Sequence, residues 1–430
     1  MAENKIPSGL SGDDIAAGNG LLHRRLFLTQ SAALIGTGGL SLLAAQPVAA
    51  ETLTVPQWMK APGAPMSPYG QPSRFEEKVQ RIVTARPGAV GSGASRTPHE
   101  LLKGTITPNG LHFERHHSGV PDIDPAMHRL VIHGRVKRSL TFTVDALLRY
   151  PTVTRTQFIE CSGNSAVGWA ADPPQATCGT LHGLLSCSEW TGIPLSVLLD
   201  EAGVEPGSGW VLAEGADAAA MSRSVPIAKA MDDALIALYQ NGERIRPEQG
   251  YPLRLFLPGY EGNMSVKWLR RLEVTTGPMM TRDETSKYTD TMADGKSLLF
   301  TFPMGVKSVI TSPSYGLAMQ GPGLYEITGI AWTGAGRIAR VEVSADGGTS
   351  WAEAALTEPV MPKSLTRFRL PWKWNGGPSI LKSRAIDETG AVQPTRDALI
   401  AERGLRSNYH YSGIQNWRVA ASGEVSNVHG

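Results

Sequence analysis

Cysteine is scarce in this chain: Cys161, Cys178 and Cys187 are the only three among 430 residues. An odd count leaves at least one without an internal partner, so a disulfide framework does not carry the fold. No Cys-x-x-Cys pair occurs, which removes the usual zinc and iron–sulfur spacings. No C-x-x-C-H occurs either, so no c-type haem is attached to this chain. Charge of one sign is also missing: 41 Lys and Arg stand against 39 Asp and Glu, with no basic run, which argues against nucleic acid as a partner. The one moderately apolar stretch, SAALIGTGGLSLLAA, carries three glycines and is too short and weak for a convincing membrane span. Strongly periodic helices are few, whereas glycine (47) and proline (30) are plentiful, which favours a loop-rich, mostly β or α+β protein.

What is present begins with HRRLFLTQ, residues 23–30. Paired Arg24 and Arg25 followed by x-Phe-Leu form a twin-arginine export signature, and Val48-Ala49-Ala50 suits cleavage before Glu51. Residues 1–50 are therefore expected to be a removable signal and the mature protein periplasmic, exported already folded. Such export often follows insertion of a cofactor.

Residues 51–97 are rich in Pro, Gly and Ser and read as an extended arm with a short helix around Arg74–Val83. GSGAS within it lacks the Lys-Ser/Thr ending of a phosphate loop and reads as linker. Residues 98–290 read as one α+β domain. HRLVIHG, SLTFTV, TVTRTQFIE, GWVLAEGAD, YPLRLFLPG and VKWLRRLEVTT are strand candidates, and GIPLSVLLDEAGV is an amphipathic helix stopped by Gly203. Residues 291–430 change character. Short alternating strands are separated by turn signals such as Asp346-Gly347-Gly348, and Phe368, Leu370, Trp372 and Trp374 share one face at period two. That pattern predicts an immunoglobulin-like sandwich.

Chemistry concentrates before residue 290. Cys161 follows the strand-like run TVTRTQFIE and precedes a Ser-Gly-Asn turn, where backbone can approach a ligand closely. It is either a buried inert thiol or a soft ligand for a redox-active metal. Cys178 and Cys187, nine residues apart, are able to pair and leave Cys161 alone. Arg115, His116 and His117 stand together. Neighbours on an extended chain point to opposite sides, so the two histidines make poor joint ligands, whereas Arg115 offers a fork to an oxyanion. Arg254 and Lys267 lie in apolar strands and need partners, either carboxylates or a phosphate cradled beside Gly259, Gly262 and Ser265. Ser165 sits in G-x-S-x-x-G rather than G-x-S-x-G, which gives no serine-hydrolase case.

Together, TPNGLHFERHH, FIECSGN, EGAD, SVPIAKAM, NGERIRPEQGYPLRLFLPG, VKWLRRLEV and the C-terminal NWRV resemble the sulfite oxidase family in motif order over residues 98–425. The resemblance implies an α+β domain holding a molybdenum–molybdopterin cofactor, followed by an immunoglobulin-like dimerisation domain. It implies that Cys161 binds molybdenum. Phe113, Arg115, His116, His117, Asp217, Arg254, Ser265 and Lys267 would line the pterin and its phosphate. Arg115 would also face the substrate, and Tyr288 would be the active-site tyrosine. Gln249 stands where a pterin-contacting histidine is usual.

Two departures matter. An arginine usual after Cys-x-Gly-Asn is Ala166 here, and a second pocket arginine is replaced within SNYHYSG by an aromatic such as Tyr411. Fewer cations point away from free sulfite. The long arm, the absence of haem and the ECSGNS form are most similar to the sulfane dehydrogenase branch of the family. That branch implies oxidation of a sulfane sulfur carried as a cysteine persulfide on a small carrier protein. It also implies electron transfer to a dihaem c-type cytochrome subunit, and a homodimer within a heterotetramer. Competing readings are a sulfite dehydrogenase, a methionine sulfoxide reductase of the same fold, and a non-catalytic secreted binding protein. Tungsten could stand in for molybdenum.

Overall fold

Runs of β-branched and apolar residues at alternating positions set most of the backbone into strands, and the few helices are short. The computed structural model describes residues 14–25 and 54–429. The apolar stretch of the expected signal and its cleavage site lie outside the described residues.

The first half is built on two sheets. One orders Ser222–Pro226, Trp210–Gly215, Leu269–Thr275, Arg129–Gly134 and Leu140–Thr143. Its neighbours are antiparallel except Leu269–Thr275 on Arg129–Gly134, which run parallel. The other orders Glu243–Arg244, Leu235–Gln240, Leu185–Pro194 and Val153–Glu160, with Arg254–Phe256 added to Leu235–Gln240. Between them lies an aliphatic core that includes Leu130, Leu198, Leu238, Leu255 and Leu272. The helix Leu195–Ala202 buries Leu195, Leu198 and Leu199 and ends at Gly203, whose φ of +72° few other residues adopt.

The second half is a two-sheet sandwich. Lys307–Ser312, Gly323–Trp332 and Thr366–Trp374 form one face. Ile338–Ser344, Ser379–Asp387, Asn416–Val419 and Val425–Val428 form the other. Phe368, Leu370, Trp372 and Trp374 all point inward, as their period predicts, and meet Trp332 and Trp417. The two halves are locked together. Gly259 and Gly334 approach so closely that a Cβ on either would come within 2.3 Å of the other's carbonyl. Phe158, Cys178, Leu181, Leu185 and Cys187 of the first half enter the sandwich's hydrophobic core.

Two expectations are corrected. No helix spans Arg74–Val83: only a turn of 3-10 helix forms at Arg74–Glu76, and Ile82–Ala85 is a strand. The β-branched Ile82, Val83 and Thr84 favour the pleated form. This strand pairs with Gly93–Arg96, which pairs in turn with Glu114–His116, so the arm's end is woven into the domain. Cys178 and Cys187 do not pair; all three thiols are free and buried. Cys178 opens a short helix, whereas Cys187 lies in a strand with its Sγ beside Ser364 Oγ at 3.4 Å.

Buried imidazoles make the fold acid-sensitive. Burial holds both His99 and His112 down at about 3. Their unfolded value lies near 6.5, so between these limits the unfolded chain binds more protons, and stability falls as pH drops through that window. Thermal melts should be flat above about pH 7 and decline below about pH 6. His99→Gln should reduce the slope by up to about 1.4 kcal/mol per pH unit. Identical slopes for wild type and variant would refute the assignment.

Candidate active site

The strand Val153–Glu160 delivers the chain to Cys161, and the following turn is fastened from several sides. Cys161 N–H donates to Leu184 O, Asn164 N–H donates back to Cys161 O, and Asn164 Nδ2 donates to Glu160 Oε1. Asn164 Oδ1 accepts from Leu184 N–H at 3.1 Å. A turn fixed this way holds the thiol in one place at the wall of a cleft.

Phe113, Arg115, His116, His117, Cys161, Asp217, Gln249, Arg254, Ser265 and Lys267 all line that cleft. They come from separate strands and turns. Tyr288 stands behind the wall, its hydroxyl 2.8 Å from His117 Nε2. The two adjacent histidines take different partners. Lys267 Nζ donates to His116 Nδ1 at 2.7 Å, which leaves Nε2–H to face Glu114 Oε2 at 2.8 Å. Arg115 is tethered at one nitrogen to the carbonyls of Gly93 and His116.

Cations dominate one end of the cleft. Arg254 is buried, donates to Gln249 O and Ser265 O, leaves Nε without a partner and touches no carboxylate. Burial lowers its pKa to about 9. Lys267 is also held well below its ordinary value, by burial and then by the Arg254 charge beside it. Burial and the Arg115 charge hold His117 down at about 4, so it is neutral near neutral pH. Burial pushes the Cys161 thiol up, so the chain alone keeps its proton in place. Tyr288 is likewise raised, by burial and then by Cys161.

Among the described residues no three His, Cys, Asp or Glu side chains converge on an ion. A metal at Cys161 must therefore arrive with most of its ligands. The residues suit such a group: one soft thiol, a buried Arg254 that touches no carboxylate with the half-buried Lys267 beside it, and Gly262, where a Cβ would lie 2.8 Å from Glu160 O.

Ala166 and Tyr411 depart from expectation, because neither lines the cleft. Tyr411 packs edge-on against Trp169, with ring centroids 5.0 Å apart, and Ala166 packs on the same small cluster. The turn Ala166–Trp169 carries Ala166 into a cluster with Tyr411 and with Leu399 and Ile400 of the helix Arg396–Arg403. Sequence reasoning also missed an ionic group behind Tyr288. Arg223, fully buried, donates to Glu261 Oε1 at 3.0 Å and to Asn263, and lies 5.2 Å above the Tyr288 ring. His410 joins Glu261 at 3.4 Å and donates its backbone N–H to Ser162 O. Nothing local marks it: Arg223 stands between two serines in the short strand Ser222–Pro226 and reads as an ordinary charge.

Comparison with known proteins adds a lineage to this geometry. Residues 117–282 match the oxidoreductase molybdopterin binding domain, and residues 300–416 match the Mo-co oxidoreductase dimerisation domain. Mouse mitochondrial sulfite oxidase is 31% identical over 362 residues, covering 78% of this chain and 65% of that protein. Chicken sulfite oxidase is 31% identical, covering 69% of this chain and 70% of its own. The NADH nitrate reductase of Ulva prolifera is 30% identical, but only 36% of its length is covered. The crystal structure of the sulfane dehydrogenase SoxCD from Paracoccus pantotrophus contains a chain 46% identical to this one. It superposes with a TM-score of 0.84 and covers 92% of this chain and 100% of that one.

Proposed function

Because this chain belongs to the sulfite oxidase family of molybdopterin oxidoreductases, we propose that it is the molybdenum subunit of a sulfane dehydrogenase. The observation that carries this reading is 46% identity over the whole of the Paracoccus pantotrophus chain, against 31% for the mouse and chicken sulfite oxidases. The substrate would be a sulfane sulfur held as a persulfide on a carrier protein's cysteine, oxidised to the sulfonate level. Electrons would pass to a dihaem c-type cytochrome subunit, since this chain has no C-x-x-C-H of its own. A homodimer within a heterotetramer and a periplasmic location, reached folded through Arg24–Arg25, complete the proposal.

When bound, the molybdenum–pterin cofactor supplies oxygen-atom transfer in two-electron steps, with oxygen ultimately from water. The chain's residues position and tune. Cys161 would hold the metal as its thiolate, whose charge the metal would compensate in this buried position. Arg254, Lys267 and Ser265 would hold the phosphate and pterin, with Phe113, His116, Asp217 and Gln249 along the wall. Arg115 faces the substrate and steadies negative charge that develops on oxygen. His117, being neutral, keeps the Tyr288 hydroxyl aimed without adding a charge. The Arg223 guanidinium over the Tyr288 ring fixes that ring from behind.

Purified holoenzyme should reduce a c-type cytochrome with a persulfide-bearing carrier protein and turn over free sulfite poorly. Efficient, low-KM sulfite oxidation without persulfide turnover would instead establish the sulfite dehydrogenase reading, which the likeness to sulfite oxidases favours.

A further inference from the structure

The residues just upstream of Arg24–Arg25 are built into the second domain. Ile15–Ala17 and Leu21–Leu22 form a hairpin through Gly18-Asn19-Gly20, and Leu21 pairs with Trp372 at the edge of the strand Thr366–Trp374. Leu21 is fully buried in the sandwich core. The backbone is read as closely as the side chain. Lys373 N–H donates to Gly20 O at 2.8 Å, and Trp372 Nε1 donates to Asn19 O at 2.8 Å. Asn19 Nδ2 reaches Ala345 O at 2.9 Å and Ser379 Oγ at 2.7 Å. The glycines are required by contact: a Cβ on Gly20, whose φ is +88°, would lie 1.9 Å from Lys373 O, and one on Gly18 would lie 2.3 Å from Asp346 Oδ2. Arg24 then pairs with Glu353 at 2.5 Å.

A strand added to a sheet edge, a leucine in a closed pocket and an amide clamped at two points make a peptide-binding groove. We infer that the sandwich carries a groove whose ligand is residues 14–22 of its own chain, and that docking there restrains Arg24–Arg25 against the folded second domain. The groove stands on its own contacts; its consequence for export rests on reading Arg24–Arg25 as the export signal. Because the groove exists only when both sheets are packed, the hairpin docks only on a finished sandwich. A receptor for the paired guanidiniums must then displace Glu353 from Arg24.

The test uses the uncleaved full chain, kept from export by producing it without the twin-arginine machinery. Trypsin should cut after Arg24 and Arg25 at least about tenfold faster in Leu21→Asp and in Asn19→Ala than in wild type, with Asn19→Ala as the milder variant. Amide exchange at Lys373 should be slow in wild type and fast in both variants. Equal cleavage rates, or a fast-exchanging Lys373 amide in wild type, would overturn the groove. In export-competent cells Leu21→Asp should change the rate of export, and an unchanged rate would overturn the restraint. Wild-type export of the Arg24→Lys/Arg25→Lys chain would refute the signal reading, a result independent of the trypsin and exchange measurements.

Discussion

Cys161→Ser should give a folded chain that retains no measurable molybdenum and has lost sulfur-oxidising activity. Cys161 is the only thiol lining the cleft; Cys178 and Cys187 are buried elsewhere in the core shared with the sandwich. A hydroxyl of similar size fits the same fastened turn, but it is a poor ligand for a soft metal. Loss of an outer hydrogen-bond partner at a metal site typically costs about 10–100-fold in affinity or activity, and loss of the ligand itself should exceed that. Metal analysis together with a melting curve makes the check. Wild-type molybdenum in the variant would remove Cys161 from the coordination role.

Arg254→Met should have opposite effects on the empty and the loaded protein. In the empty chain Arg254 is a buried cation with an orphaned Nε and no carboxylate partner. Burying an uncompensated charge costs stability, so an apolar side chain of similar length should raise the melting temperature of cofactor-free protein. The same change should weaken cofactor retention, because a charge-assisted contact contributes about 1.5–3 kcal/mol, or about 10–150-fold. Lys267→Met should behave alike, less strongly for stability, since Lys267 keeps His116 and two backbone carbonyls as partners. Paired melts of empty and loaded protein, with pterin content, decide the matter. A variant destabilised in both states would mean that the cation is structural.

The sandwich was legible because its signal is local: Phe368 to Trp374 alternate at period two, and the turn at Asp346-Gly347-Gly348 takes the positive φ its glycines suggest. The cleft was legible residue by residue through resemblance, since Cys161, Arg115 and Lys267 lie far apart in sequence and no periodicity links them. The ionic group of Arg223, Glu261 and His410 was not legible. Each residue alone reads as an ordinary charge, and only tertiary packing joins them at 3.0–3.4 Å. The arm misled for a related reason: the short helix expected around Arg74–Val83 gives way where pairing of Ile82–Ala85 with Gly93–Arg96 draws the chain into a sheet.

That the three thiols are free and buried has a bearing on where this protein can be made. No covalent cross-link has to close before the halves interlock, so the fold asks nothing of its surroundings' redox poise. On the proposed route of export, the chain would be finished in the reducing cytosol and would cross the envelope with no disulfide to form or break. Treatment with strong thiol reductants should leave its melting temperature unmoved.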